Sequence, residues 1–416
     1  MITTYQYRIY PTTKQRLTFE STLEACRNLY NQALDQRKQA YETTGKGLTY
    51  LVQANQLTPF RQEFPFWASL HIDILQDTLR RLDKAYNAFF RRVKSGENQG
   101  CPRFKGKGRY RSFTYSHLAK TLIIPIKGRL ARIVVPKVGH VKIRLHRPLP
   151  NGKIKTLQIL RKASGWYANI TIEVDDVAKV RLADSRNGVD IQSLVGVDVG
   201  LESFLTTSDG EKIENPRHLR KTEKKLKRLQ RRLSQRQKGS RRRAKLRERL
   251  AKCHERIVNQ RRDFHYKTAH RLYSQYDAVA VEDLQIANMV KNHHLAQSIS
   301  DAAWGNFVLV LGSKAENAGY HLMKVSPNGT SQRCSSCGEI VKKSLSIRTH
   351  RCDSCGLVLD RDHNAAINIK RVASTLRGGM LAVNSPETLS TERQSRESRK
   401  TLDGRVPLQA SPFRAG

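Results

Sequence analysis

Leu194-Val-Gly-Val-Asp198-Val-Gly200 is a short apolar run that carries one acid and stops at a glycine. Such a run predicts a buried strand. A second run, Ser203-Phe-Leu-Thr-Thr207, leads into the turn Ser208-Asp-Gly210, so the two predict a β-hairpin with a carboxylate on its first strand. Working outward, Tyr276-Asp-Ala-Val-Ala-Val-Glu282-Asp283-Leu284 predicts another buried strand with a carboxylate at its exit. Asp360-Arg-Asp362-His-Asn364-Ala-Ala-Ile-Asn368-Ile369 predicts a helix, from its Ala and Ile content and the Asn364/Asn368 pair at i,i+4 spacing. Each acid has an ordinary explanation by itself. Asp198 can be a turn-former, Glu282 a solvated strand end beside Asp283, and Asp360 and Asp362 N-caps that complement a helix dipole.

Taken together, strand, strand and helix deliver three carboxylates, Asp198, Glu282 and Asp362, at intervals of 84 and 80 residues. An RNase H-type core gathers its acids from such elements in this order. Clustered hard oxygen ligands for two Mg²⁺ ions about 3.5–4 Å apart are what phosphodiester cleavage requires. Between the second and third acids lie Cys334-Ser-Ser-Cys337-Gly338 and Cys352-Asp-Ser-Cys355-Gly356, a C-x2-C-x14-C-x2-C pattern. Four thiolates at that spacing suit one tetrahedral Zn²⁺. Two disulfides are the alternative, but Cys26, Cys101 and Cys253 are scattered and odd in number. Met1 to Tyr10 alternates polar and apolar residues like a strand and lacks the apolar core of a secretory signal, which favours a reducing cytoplasm.

Gly196-Val-Asp198-Val-Gly200, Val281-Glu282-Asp283-Leu284, Thr330-Ser-Gln-Arg-Cys334-Ser-Ser-Cys337-Gly338 and Asp360-Arg-Asp362-His-Asn364-Ala-Ala resemble segments of the TnpB family. These are RNA-guided nucleases encoded in bacterial insertion sequences and related to type V CRISPR effectors. Tyr7-Arg-Ile-Tyr-Pro11, Cys26-Arg-Asn-Leu-Tyr-Asn31, Leu82-Asp-Lys-Ala-Tyr86-Asn-Ala-Phe-Phe90, Pro102-Arg-Phe-Lys-Gly106 and Ser300-Asp-Ala-Ala-Trp-Gly305 extend the likeness over about residues 5–371. The resemblance implies an α+β multi-domain chain. Residues 1–12 and 110–178 would form a wedge β-barrel and 13–109 an inserted helical recognition lobe. Residues 190–327 and 357–375 would form an RNase H-like (RuvC) core carrying a basic helical hairpin over 217–262, with 328–356 a zinc ribbon. It implies an Mg²⁺-dependent endonuclease that cuts DNA beside a short transposon-adjacent motif, guided by an RNA encoded near its own gene. The expected assembly is a monomer with that RNA, in the bacterial cytoplasm on the nucleoid, and the sequence leaves the oligomeric state open. The family pattern Asp-x-Asn-Ala-Ala assigns catalysis to Asp362 rather than Asp360. Rival readings are a non-cutting nucleic-acid-binding accessory, a transposase, and a small type V CRISPR-like effector; the intact carboxylates argue against the first.

Composition agrees with a polyanionic partner, since 76 Lys and Arg against 36 Asp and Glu leave a formal charge of +40. No 18-residue apolar run exists, so no membrane helix is expected. After a first strand, leucines at 17, 23, 29 and 34 recur at loosely helical spacing. A helix around Ile72–Lys94 gathers Leu75, Leu79, Leu82, Tyr86, Phe89 and Phe90 on one face. Its polar Gln76, Arg80 and Arg81 are candidates to read or position the flanking DNA motif, because Gln can pair bidentately with adenine. Gly96 to Gly108 reads as a linker whose backbone can approach phosphates. Five short strands follow between Leu122 and Glu173, and Asp175 to Gln192 reads as a boundary. Across Arg217 to Lys252 there are 18 Lys or Arg and two acids, Glu223 and Glu248, which denies the run compensating ion pairs. It is expected to hold a duplex through residues such as Arg231, Arg232, Arg241 and Arg242, with a thin leucine seam inside. Residues 376–416, rich in Ser, Thr, Glu, Arg and Gly, are expected to be disordered.

Overall fold

Period-two alternation builds the first sheet. In the computed structural model, which describes residues 2–97, 100–116, 123–174, 191–344 and 347–383, the strands are β1 (Ile2–Tyr10), β2 (Ser112–Tyr115), β3 (Ile123–Lys127), β4 (Leu130–Val135), β5 (Gly139–Arg144), β6 (Lys153–Lys162) and β7 (Gly165–Glu173). They pair antiparallel in the order β2-β6-β7-β1-β5-β4-β3. All five expected strands are present. β2 is the addition: its four residues lie just after a basic, Gly-rich stretch that hides the alternation. The hydrogen-bonded order ends on β2 and β3, and no pairing among the described residues closes it into a barrel.

Helices Thr13–Thr44 and Ile72–Lys94 stack on this sheet, burying Phe19, Leu23, Leu29 and Leu34 from one and Ile74, Leu75, Leu79 and Leu82 from the other. The first starts at a capping box, with the Thr12 hydroxyl accepting from Gln15 N and the Gln15 side chain accepting from Thr12 N. It ends at Gly45, whose φ of 66° is the left-handed conformation of a helix C-cap. Two expected core residues are exposed, Leu17 at 58% and Phe90 at 53%, and Tyr86 and Phe89 are half-buried. Loosely helical spacing does not separate a stripe's centre from its margin.

The second sheet contains β8 (Leu194–Val199), β9 (Ser203–Thr207), β10 (Lys212–Glu214), β11 (Ala278–Glu282) and β12 (His321–Val325), ordered β10-β9-β8-β11-β12. The hairpin side is antiparallel, while β8, β11 and β12 run parallel. Alternate residues of β8 and β11 serve two different layers. Val195, Val197, Val279 and Val281 pack with Trp304, Phe307 and Leu311 of helix Trp304–Ala318. On the other side Ala280 joins Ile369 and Ala373 of helix Arg361–Val383. Parallel strands covered on both faces read as continuous apolar runs.

Two compact units result, one from residues 1–177 with 226–256, the other from 178–225 with 257–416. Helices His218–Ser234 and Arg241–Gln275 supply the basic hairpin, with Leu226, Leu229, Leu246, Cys253 and Ile257 buried. The second helix outruns the expected limit of 262, because Ala269, Leu272 and Tyr273 supply a further apolar face. Helix Arg361–Val383 likewise runs into the stretch expected to be disordered, so residues 376–383 are helical in backbone. Residues 384–416, and most of the boundary expected at 175–192, lie outside the described residues.

Candidate functional site

The sheet register brings the first two acids together. Val281 of β11 pairs with Val197 of β8, so one residue further on Glu282 and Asp198 leave adjacent parallel strands side by side. Strand neighbours in that relation are about 4.8 Å apart at Cα and present their side chains to the same face. Asp362 arrives from the first turn of helix Arg361–Val383. Its Oδ2 lies 3.7 Å from the point where a Cβ on Gly200 would stand, immediately beyond β8. All three carboxylates are partly shielded from solvent. Burial raises the Asp198 pKa well above the carboxylate range, with further lifts from the Glu282 and Asp362 charges. Burial also raises Glu282, against a hydrogen bond donated by the Thr330 hydroxyl.

The close approach of helix to sheet depends on Gly196. A Cβ there would stand 2.1 Å from Ala366 O and 2.6 Å from Lys370 N, so only glycine lets the backbone of this helix lie across β8. In the sequence this glycine is part of a strand motif, and nothing local gives its packing reason.

Asp360 and Asp362 do different work. Asp360 Oδ1 accepts from the backbone N–H of Asp362 at 3.0 Å and of His363 at 3.1 Å, while Oδ2 takes Lys212 Nζ at 2.7 Å. It is an N-cap. Burial would raise its pKa, but the Lys212 ammonium and the two amides outweigh that and hold it low. Asp362 instead receives Arg361 Nε and Nη2 at 3.1 and 3.0 Å on Oδ1 and Arg348 Nη1 at 3.6 Å on Oδ2. Neither arginine stands out in the sequence, where each is one cation among 76.

The four cysteines converge. Their Sγ atoms all lie within 4.8 Å of one another, with Cys334–Cys355 at 3.7 Å and Cys337–Cys352 at 3.5 Å. A tetrahedron with Zn–S near 2.3 Å has edges of about 3.8 Å, so the donor set fits zinc. Each pair sits on a tight knuckle. Gly338 N donates to Cys334 O at 3.0 Å and Gly356 N to Cys352 O at 2.9 Å, with φ of 84° and 74° at the two glycines. Strands β13 (Thr349–Arg351) and β14 (Val358–Asp360) pair antiparallel and lead straight into Asp362.

The nucleic-acid candidates scatter. Arg231, Arg232, Arg241 and Arg242 are exposed on the hairpin. Gln76 and Arg80 are half-buried, Arg80 lying 5.5 Å from the Tyr50 ring centre. Arg81 is occupied internally: it donates to Ser112 O at 2.8 Å and Thr114 Oγ1 at 2.9 Å, pairs with Asp77 at 2.8 Å and stacks on Tyr110. It ties helix Ile72–Lys94 to β2. A cleft of about 890 Å³ that the sequence does not reveal is lined by Arg103, Phe104, Lys105, Lys107, Arg109, Arg111, Arg161 and Arg247, with two glycines. Its loop is held where Lys105 N donates to Asn31 Oδ1 at 2.7 Å and Asn31 Nδ2 donates back to Lys105 O at 3.1 Å. Contributions from separate chain segments leave no contiguous signal beyond the loop.

No described helix is long and apolar enough to cross a membrane. Residues 170–293 match the OrfB_IS605 family model, described as a probable transposase, and residues 304–369 match the Cas12f1-like TNB domain. Residues 1–46 match a model described as a helix-turn-helix domain, although here residues 2–44 form one strand and one long helix. A protein of Streptomyces pristinaespiralis whose name reads RNA-guided DNA endonuclease is 33% identical over 99% of this chain and 96% of its own length. InsQ of Escherichia coli K12, named in the same way, is 28% identical over 88% of this chain and 90% of its own. Among solved structures, Cas12f1 in complex with sgRNA and target DNA superposes with a TM-score of 0.57 at 15% identity, covering 86% of this chain and 83% of that one. The mini-RNA-guided endonuclease CRISPR-Cas_phi3 gives 0.50 at 10% identity, covering 90% and 92%. Both share the fold.

Proposed function

This chain belongs to the TnpB family of RNA-guided DNA endonucleases, and on that premise we propose that Asp198, Glu282 and Asp362 form its cutting centre. The carrying observation is their convergence from β8, β11 and helix Arg361–Val383. Three carboxylates, one pushed well above its usual pKa by burial and by the charges of the other two, supply hard oxygen donors of the kind Mg²⁺ takes. Bound there, the ions would activate a water and stabilise the leaving 3′ oxygen. Asp198 and Glu282 lie abreast on adjacent parallel strands, so the sheet fixes where their side chains start. Arg361 and Arg348 fix Asp362 while leaving the acid pair on the strands free to face the reacting phosphate. Asp360 is assigned to the helix cap and Cys334, Cys337, Cys352 and Cys355 to one zinc. The five-stranded order with a parallel half and an antiparallel hairpin supports an RNase H-like core. The first sheet with its two helices supports the wedge and recognition regions.

The partners are RNA and target DNA, in keeping with the relatives' names. For their contacts we assign the cleft around Arg103 to Arg111 with Arg161 and Arg247, and the exposed hairpin arginines 231, 232, 241 and 242. These would hold a heteroduplex by its backbone while base pairing reads sequence. Gln76 and Arg80 keep the proposed role at the motif beside the target; Arg81 would act there only by holding β2 in place.

The test is a paired substitution in the purified RNA complex. Asp362→Ala should lower cutting by roughly a thousandfold or more, about 4 kcal/mol in barrier, with target binding nearly unchanged, since affinity comes from many basic contacts. Asp360→Ala should be far milder. The reverse ranking, or full cutting by the Asp362 variant, would overturn the assignment.

A further inference from the structure

Thr330 is almost fully buried, 6% exposed, and lies four residues before the first zinc-ribbon cysteine. Its hydroxyl donates to Glu282 Oε1, and the same oxygen lies 3.2 Å from Pro327 O. A hydroxyl carries one proton, so the shorter contact, to the carboxylate, takes it. Thr330 is itself held from behind. Asn368 Nδ2 donates to Thr330 O at 2.8 Å and to Arg333 O at 2.6 Å. Asn364 Nδ2 donates to the same Arg333 carbonyl at 2.9 Å, and its Oδ1 accepts from Ser335 N at 2.9 Å. Both asparagines are buried on the helix that carries Asp362. Their i,i+4 spacing, which marks the helix in the sequence, thus clamps the loop that leads into the first knuckle.

We infer that Thr330 is a positioning residue of the cutting centre, fixing the orientation of Glu282, and that Asn364, Asn368 and the first cysteine knuckle fix Thr330. The inference rests on the reading of Glu282 as a metal-binding carboxylate. The Glu282 side chain has three rotatable bonds between the backbone and its carboxylate oxygens and would sample several orientations without an anchor. A buried hydrogen bond on one oxygen selects a single orientation and leaves the other oxygen free for a cation. Partners of this kind orient metal ligands, and removing one typically costs 10–100-fold in metal affinity or activity. The geometry has a second consequence. Glu282 is oriented through Thr330 from the same helix that carries Asp362, so the folding of the loop into the first knuckle is linked to the Glu282 orientation.

The experiment compares Thr330→Val, Thr330→Ser and Glu282→Gln in the full-length RNA complex. It measures the Mg²⁺ concentration for half-maximal cutting, the rise in Tm with added Mg²⁺, zinc content, and binding of target DNA. Thr330→Val should raise the half-maximal Mg²⁺ concentration about tenfold or more and shift the Mg²⁺-dependent Tm response to higher concentration by the same factor. Zinc content and DNA binding should stay at wild-type levels, and Thr330→Ser, which keeps the hydroxyl, should restore most of the response. A Glu282→Gln variant that still cuts at full rate would remove Glu282 itself from the centre. A dead Glu282→Gln variant beside a Thr330→Val variant with wild-type Mg²⁺ dependence would overturn the positioning role alone. Loss of zinc from Thr330→Val would also overturn it, by reducing Thr330 to a residue that folds the ribbon.

Discussion

The two sheets of this chain spend their buried positions differently. β7 alternates half-buried and buried residues along its whole length, so one face is dry and the other carries side chains such as Tyr167 and Asn169. β11 is buried at four consecutive positions and meets solvent only at Glu282, its last residue. A sheet covered on one face can place polar groups anywhere along its strands, and each is individually unremarkable. A sheet covered on both faces admits a carboxylate only at a strand end, where burying it must be offset by a bound partner. On the proposed assignment, function is concentrated at a few positions in the second sheet and spread over many in the first region, and the expected effects of substitution differ accordingly.

The largest effect is expected where single residues close a site. A structural zinc held by four thiolates contributes about 10–16 kcal/mol of apparent binding free energy, so Cys352→Ser should empty the ribbon and, through Asn364, Asn368 and Thr330, depress cutting. Metal analysis showing well under one zinc per wild-type chain with cutting intact would break the comparison at its strongest point. Next comes Gly196→Ala. Overpacking against backbone costs about 1–3 kcal/mol, and roughly 2–4 °C of Tm per kcal/mol follows for a region of this size. Because the helix that must retreat carries Asp362, cutting should fall further than stability alone explains. Wild-type Tm and rate in the Gly196→Ala protein would show that the helix does not need this approach. The smallest effect is expected on the hairpin. Arg241→Ala should weaken binding modestly and lower the slope of log affinity against log salt by about 1 for each phosphate it no longer neutralises. A tenfold fall in cutting at saturating target would contradict the distributed picture.

Legibility in the sequence follows the same division. Asp198 and Glu282 stand out because each breaks an apolar run, Asp362 because it opens a helix, and the four cysteines because they repeat at ligand spacing; the cysteine Sγ atoms converge, and Asp198 feels the charges of the other two acids. The hairpin strand Ser203–Thr207 and helix Ile72–Lys94 are readable to the residue from periodicity and flanking turns. What escapes is pairwise and non-local. The reason for Gly196 lies 170 residues away in Ala366, and the partners of Asp362 include Arg348, a cation among many. Arg81, singled out for its polar neighbours, is taken up by Ser112 and Thr114 because the short β2 leaves no clear alternation to recognise. The cleft around Arg103 to Arg111 depends on Arg161 and Arg247 as well, which no window of sequence contains.

The ribbon lies between β12, which ends at Val325, and the helix that starts at Arg361, so every route along the chain from Glu282 to Asp362 passes through it. In polymer terms it is a tether whose slack a bound metal would set. With the knuckles closed, Asp362 is delivered at a fixed distance from the sheet. With them open, the same segment is a flexible loop, and the local concentration of Asp362 at the other two acids falls as the volume the loop explores grows. On the proposed assignment, a chain without zinc would keep all three acids and the packing of the Asp362 helix on the sheet, but would hold the first turn of that helix less firmly.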